Sequence, residues 1–202
     1  MLEVKEGGLL DTALIPGADG AITSGLSFVM NFDDRDNVYS PVSGSYLIFK
    51  GGFSSRTFGA TYAFNRYLID LRRYFTLGGK HTMAVQAYLQ SAKGDVPFQS
   101  MSWLGGSDRN RGYFRGRYMD ENYLLLQTEF RWRLMKRLNL NMFASLGQVA
   151  DETRDIFQYP KFSGGAGLRF QMLKSNPTLI RVDLGVNQYG ETGIYFGVNE
   201  AF

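Results

Sequence analysis

The chain has 202 residues, enough for one domain, and its 22 basic and 19 acidic side chains leave a net charge of only +3. So small an excess of positive charge does not predict a nucleic-acid partner. The sequence has no cysteine and a single histidine, which excludes disulfides and thiolate metal sites and leaves little for imidazole chemistry. We therefore expect no metal site built on thiolates or paired histidines.

The sequence shows neither a membrane-spanning helix nor an export signal. It has no run of about 18 apolar residues, the length that predicts a transmembrane helix. Residues 1–17 lack the basic start and the apolar stretch of a secretory signal. Two interpretations follow: either the protein is cytoplasmic, or the chain has lost its beginning.

Alternation of apolar and polar residues is the strongest pattern in the sequence, and it recurs along the whole chain. It predicts about nine strands, most of them about ten residues long. In chain order the predicted strands are 23–33, 43–54, 58–74, 82–90, 123–133, 138–147, 163–173, 178–187 and 192–202.

The segment 178–187 shows this alternation most clearly. Its apolar face consists of Ile180, Val182, Leu184 and Val186. Its opposite face consists of Arg181, Asp183, Gly185 and Asn187. Alternation alone does not decide whether the apolar face covers a core or meets lipid, because a soluble lipocalin-like barrel has the same period.

The connections favour a membrane barrel. Two of them, 91–122 and 148–162, are long and lie at the same end of the sheet, whereas most of the others are short. Short turns at one end and long loops at the other are typical of outer-membrane barrels. The strand lengths suit a tilted crossing of a bilayer, and the charged and amide side chains of the polar faces suit a wet lumen.

Three motifs carry a family resemblance. Asn110, Arg111, Gly112 and Tyr113, within the long connection, are similar to the Val-Arg-Gly-Phe/Tyr motif of the BamA/TamA family, the bacterial surface antigen barrels. Upstream, residues 34–44 resemble that family's Asp-x-Arg turn with its Pro-x-x-Gly ending. Residues 194–202 resemble its C-terminal targeting strand, and fit best the Bacteroidetes members that lack periplasmic POTRA domains.

The resemblance covers residues 22–202 and implies an all-β fold, an antiparallel transmembrane β-barrel segment. The family's barrel has about sixteen strands. We therefore expect 22–202 to be the C-terminal part of a larger barrel in the bacterial outer membrane. Residues 1–21 would be a partial strand and an outer loop, and a signal peptide would have been lost with the strands that precede them.

The resemblance also implies a site. The family's conserved loop folds back into the barrel, where its arginine, here Arg111, meets acidic groups of the lumen wall. Glu129, on the polar face of the strand after the loop, is the expected partner, and a guanidinium suits a carboxylate better than an ammonium does. Ser145 stands where family members commonly carry an aspartate. The pairing of the arginine is therefore either simpler here or shared with Asp120 or Asp183.

The last predicted strand completes the expected site. Ile194, Phe196 and Val198 alternate with polar or small residues, and Phe202 follows where an interfacial aromatic would sit. In the family this strand forms one side of a weak seam. The implied function is non-enzymatic insertion or translocation of outer-membrane polypeptides or lipids, with the bilayer and client chains as partners. We accordingly expect no catalytic group, no metal site, no cofactor and no small-molecule substrate. A passive pore or structural barrel is the alternative, and a soluble ligand-binding barrel is a more remote one.

Overall fold

The computed structural model describes residues 15–172 and 178–202. A partial strand and an outer loop were expected for residues 1–21, and residues 1–14 of that range lie outside the described residues. Residues 15–21 form turns without a strand, and Ala18 N donates to Ile15 O at 3.1 Å.

The described residues form an antiparallel sheet of nine strands, as the alternation predicts. In chain order its strands are Gly25–Asp33 (β1), Gly44–Ser54 (β2), Phe64–Leu77 (β3), His81–Gly94 (β4), Asn122–Arg133 (β7), Leu138–Ala150 (β8), Lys161–Gln171 (β9), Leu179–Asn187 (β10) and Thr192–Val198 (β11). Each strand pairs with its neighbour in this order, so β1 and β11 are the edges of the sheet. The predicted all-β antiparallel fold is confirmed.

The long connection between β4 and β7 contains a small hairpin. Ser102–Leu104 (β5) pairs with Tyr118–Asp120 (β6), apart from the main sheet. Strands of three residues are too short to show a period of two, which is why the sequence predicts only a loop there. Short 3-10 helices are Arg56–Phe58, Phe98–Ser100 and Thr153–Asp155.

Several strand boundaries differ from the predicted ones by two to six residues, among them the end of β4 at Gly94 instead of 90, and two of these differences have a visible local cause. The third strand begins at Phe64 instead of 58, because Ser55 caps the 3-10 turn before it and Gly59 ends that turn at φ 85°. The last strand ends at Val198 instead of 202. Asn199 adopts a φ of 65°, which turns the chain away from the strand direction.

The apolar face of the sheet is exposed and its polar face is buried, which is the opposite of the arrangement in a soluble protein. On β10, Leu184 on the apolar face is 55% exposed, whereas Asp183 on the polar face is fully buried. The same contrast holds on β7, between exposed Leu126 and buried Gln127. An exposed apolar face of this extent needs a covering, and lipid supplies one. Among the described residues, no helix has the length and apolar character needed to span a bilayer.

The sheet curls around its polar face. Arg131 of β7 donates to the carbonyl of Pro41, in the β1–β2 connection, and to the carbonyl of Phe202, beyond β11. Segments next to both edges of the sheet therefore meet over one central strand. We call the enclosed polar face the inner wall.

Candidate functional site: an arginine loop on the inner wall

The loop between β5 and β6, residues 105–117, lies against the inner wall, and its central motif is buried. Asn110, Arg111 and Tyr113 are at most 1% exposed. Arg111 donates to Glu129 Oε2 at 2.7 Å and to Asp183 Oδ2 at 2.6 Å. Its guanidinium also stacks on Phe143, 3.5 Å from the ring centroid. One planar fork thus joins β7, β8 and β10, which a lysine could not do.

Two further arginines complete this cluster. Arg131 donates to Glu129 Oε1 at 3.0 Å, and Arg169 ion-pairs with Asp183 and, at 2.7 Å, with Glu200. We call the three carboxylates and three guanidiniums the buried ion cluster; its members are Arg111, Arg131, Arg169, Glu129, Asp183 and Glu200. Its formal charges balance, and Arg181, which lies 3.8 Å from Asp183, has a carboxylate partner of its own in Asp108. That balance matters because a buried charge left without a partner is strongly destabilising.

The structure places Ser145 beside the loop, but in contact with Asn110 rather than with Arg111. Asn110 Nδ2 donates to Ser145 Oγ at 3.1 Å, and Ser145 shares a 2.7 Å hydrogen bond with Ser163. Tyr123 donates its hydroxyl to Asn110 Oδ1 at 2.8 Å. Asp120 and Asp183 are the two alternatives for the second carboxylate partner of Arg111. The structure brings Asp183 to Arg111, whereas Asp120 accepts a hydrogen bond from the backbone N–H of Glu121. Ser145 therefore contributes a neutral hydrogen-bonded contact to the loop, and not a charge.

Glycines let the loop backbone touch the wall backbone. Gly112 has a φ of 111°, and a Cβ there would lie 2.8 Å from the carbonyl carbon of Val186. A Cβ on Gly185 would lie 2.7 Å from the carbonyl carbon of Arg111. Asn187 Nδ2 donates to the carbonyl of Gly112 at 3.0 Å, which fixes this approach. Any larger side chain at either glycine would hold the loop away from the wall.

Tyr113 anchors the loop in an apolar pocket. It packs with Leu104, Tyr123 and Leu125, and its hydroxyl donates to the carbonyl of Phe162 at 3.2 Å. Burial raises the pKa of Tyr113 to about 12, because the phenolate would lose its hydration.

The predicted seam residues divide into two groups. Ile194, Phe196 and Val198 lie on the outward face of β11 and are 62–75% exposed. Phe202 does not continue that face: it is 5% exposed and packs against Tyr74 and Ala84 of the inner wall. The expectation that Phe202 sits at the lipid interface is wrong, because the turn at Asn199 directs the tail inward.

Sequence reasoning missed Glu200 and Asn141. Asn141 Nδ2 donates to both Glu129 and Glu200, at 3.0 and 2.9 Å, and so links the tail to the loop's partner. Alternation places Asn141 on the polar face of the predicted strand 138–147, but no motif in the sequence identifies it as a site residue. Within residues 15–172 and 178–202, no group of three or more His, Asp or Glu side chains could hold a metal ion.

An antiparallel wall with an exposed apolar face and an ion-paired loop on its polar face is the architecture of an outer-membrane β-barrel. A family model described as the Omp85 superfamily domain matches residues 17–202. The chain belongs to the Omp85 superfamily. This superfamily includes the BamA/TamA family that the motifs predicted, and the members of the BamA/TamA family are bacterial outer-membrane proteins.

Among solved structures the chain is similar to BamA from Haemophilus ducreyi lacking POTRA domains 1–3, with a TM-score of 0.72 and 14% sequence identity. The match covers 87% of this chain and 42% of that chain, so this chain spans less than half of the BamA chain. At this identity the likeness establishes the fold alone. No curated protein sequence matches the chain.

Proposed function

We propose that this chain forms the part of an outer-membrane barrel at which other polypeptides are inserted or translocated, without covalent chemistry. The observation that carries the proposal is the state of β11. It is an edge strand, hydrogen-bonded to β10 on one side, and its apolar side chains are exposed. Unpaired strand backbone cannot face hydrocarbon, so this edge is suited to accept another strand. β1 is an edge of the same kind, and β11 differs from it because the arginine loop is hydrogen-bonded to β11.

The loop is placed to influence that edge. Gly112 N donates to the hydroxyl of Tyr195, on β11, at 2.8 Å, and this hydroxyl donates to the carbonyl of Tyr113 at 3.4 Å. The buried ion cluster holds the loop, and the loop holds the inward side of the edge strand. In this proposal the cluster sets how firmly β11 keeps its position while a client strand pairs with it.

The test is depletion of the full-length protein in its own bacterium, followed by quantification of other outer-membrane barrels against an inner-membrane control. We expect the barrels to decline and the control to stay constant. Complementation with Tyr195→Phe should restore them less well than Tyr189→Phe, a matched change at an exposed tyrosine. If the barrels keep their levels while uptake of small solutes falls, the protein is a passive pore and the proposal is wrong.

A further inference from the structure

A polar cavity of about 270 Å³ lies between the loop and the inner wall, apart from the buried ion cluster. Strand β5, the loop that follows it, and the neighbouring strands β4 and β7 contribute to its lining. The lining residues used below are Ser102, Trp103, Asp108, Arg109 and Arg115.

The two arginines of this cavity differ from the other loop arginines. Arg111 and Arg117 are each ion-paired with carboxylates. Within the part of the chain that the structure describes, Arg109 and Arg115 have neither an ion pair nor a hydrogen bond. Their guanidiniums lie over aromatic rings, Arg109 at 4.3 Å from the Tyr88 centroid and Arg115 at 4.7 Å from the Trp103 centroid. Stacking fixes each plane and leaves its in-plane N–H donors available.

A buried hydroxyl lines the same cavity. Ser102 is 2% exposed, and its Oγ has no hydrogen-bond partner among the described residues. Buried polar atoms are nearly always hydrogen-bonded, so this hydroxyl is a donor still available at the cavity wall.

The charge of the cavity is positive. Asp108, the carboxylate in its lining, accepts from Arg181 and from the Ser107 hydroxyl, so it is already neutralised. Two stacked guanidiniums and one hydroxyl donor remain to attract an anion.

We propose that this cavity binds a phosphate group, held by Arg109 and Arg115 with a hydrogen bond from Ser102. Guanidinium forks match the geometry of phosphate oxygens and bind them in pairs of hydrogen bonds. The phosphate belongs either to a lipid headgroup or to a small soluble molecule, and both present the same oxygens. The inference does not depend on a role in protein insertion.

The first experiment titrates inorganic phosphate and glucose 1-phosphate into the detergent-solubilised full-length protein by calorimetry, in a chloride buffer. The wild-type chain should bind at least one of them with heat. Arg109→Gln and Arg115→Gln should each weaken binding about tenfold or more, since a hydrogen bond to a charged group contributes that much. Arg117→Gln, a change of the same type in the same loop but outside the cavity, should bind as the wild type does.

The second arm separates the sources. The chain is reconstituted into phosphatidylcholine vesicles with or without phosphatidic acid, and protease cleavage within 105–117 is followed. Protection by phosphatidic acid that is lost in Arg115→Gln assigns a lipid headgroup, and protection by soluble glucose 1-phosphate alone assigns a small molecule.

Ser102→Ala guards against a folding artefact, because it removes the hydroxyl without removing charge; it should weaken binding while the loop stays protease-resistant. The proposal is overturned if no probe binds or protects, or if Arg117→Gln weakens binding as much as the cavity variants do. Equal binding by wild type and the Arg109→Gln/Arg115→Gln double variant would also overturn it.

Discussion

Arg111 and Arg117 belong to one loop and each forms an ion pair, yet their surroundings are opposite. The side chain of Arg111 is 1% exposed, and both its carboxylate partners are fully buried. The side chain of Arg117 is 43% exposed, and that of its partner Glu191 is 46% exposed. The bond type is the same in both pairs, but water screens the second pair and is excluded from the first. Exposure, more than the presence of a salt bridge, therefore decides what each arginine contributes.

Breaking the buried pair should have the largest effect. Arg111→Ala and Glu129→Ala each leave the buried ion cluster with one uncompensated charge, at a cost of up to about 3–5 kcal/mol where water is excluded. The remaining partners, Arg131 for Glu129 and Asp183 for Arg111, reduce that cost. We expect each variant to lower the free energy of unfolding in urea titrations of the vesicle-reconstituted chain by up to that amount. A change below that of an exposed control, Arg154→Ala, would contradict the burial of the pair.

A double-mutant cycle sharpens this comparison. Arg111→Ala with Glu129→Ala should destabilise the chain by clearly less than the sum of the single changes, because the second change restores the charge balance that the first one disturbs. Arg117→Ala with Glu191→Ala should be close to additive, since screened charges couple weakly. Additive losses for the buried pair would show that the loop is not held by it.

The contrast between burial and exposure also holds for the adjacent aromatic residues. Tyr113 is fully buried, and Phe114 is 80% exposed. Tyr113→Ala should cost about 3 kcal/mol of unfolding free energy, as large-to-small changes in cores do. Phe114→Ala removes few contacts and should leave the urea midpoint nearly unchanged. Equal shifts for the two variants would mean that the loop is not anchored through Tyr113.

The close backbone approach gives a smaller effect. Gly185→Ala places a Cβ 2.7 Å from loop backbone, so the loop or the strand must shift, at a cost of about 1–3 kcal/mol. Gly51→Ala is the matched control, because a Cβ at this strand glycine meets its nearest atom at an ordinary 3.5 Å. Protease should cleave segment 105–117 faster in Gly185→Ala alone. Similar cleavage in both variants would place the loop farther from β10 than the structure does.

These residues also show what the sequence can and cannot predict. Period-two alternation predicts the main sheet and its two faces, because lipid and lumen impose opposite polarity on successive residues. The resemblance implied the contact of Arg111 with Glu129 and left Asp183 as one of two alternatives. Asp183 lies close to Arg111 because of the register between the strands, and no sequence motif predicts that register.

The tail was predicted less well, for a different physical reason. Residues 199–202 continue an alternating segment, so periodicity assigns them to the strand. A single positive φ at Asn199 sends Glu200 and Phe202 to the inner wall instead. Local conformations of this kind depend on partners far away in the chain, here Arg131 and Arg169, and alternation carries no information about them.

The exposed pair should give the smallest effect, and its pH dependence has a defined sign. The hydrogen bond from Arg117, followed by that from Asn187, lowers the pKa of Glu191 below its ordinary value. A carboxyl whose pKa is lower in the folded state stabilises the fold above its unfolded pKa, and this contribution is lost as pH falls through the folded value. Arg117→Gln should therefore lower the urea midpoint slightly at neutral pH and not at all at a pH where Glu191 is protonated. Raising the salt concentration should shrink the neutral-pH difference as well, since both side chains are solvated. A difference that persists in acid and in high salt would show that Arg117 acts through packing on Tyr118, over which its guanidinium lies at 5.6 Å, and not through its charge.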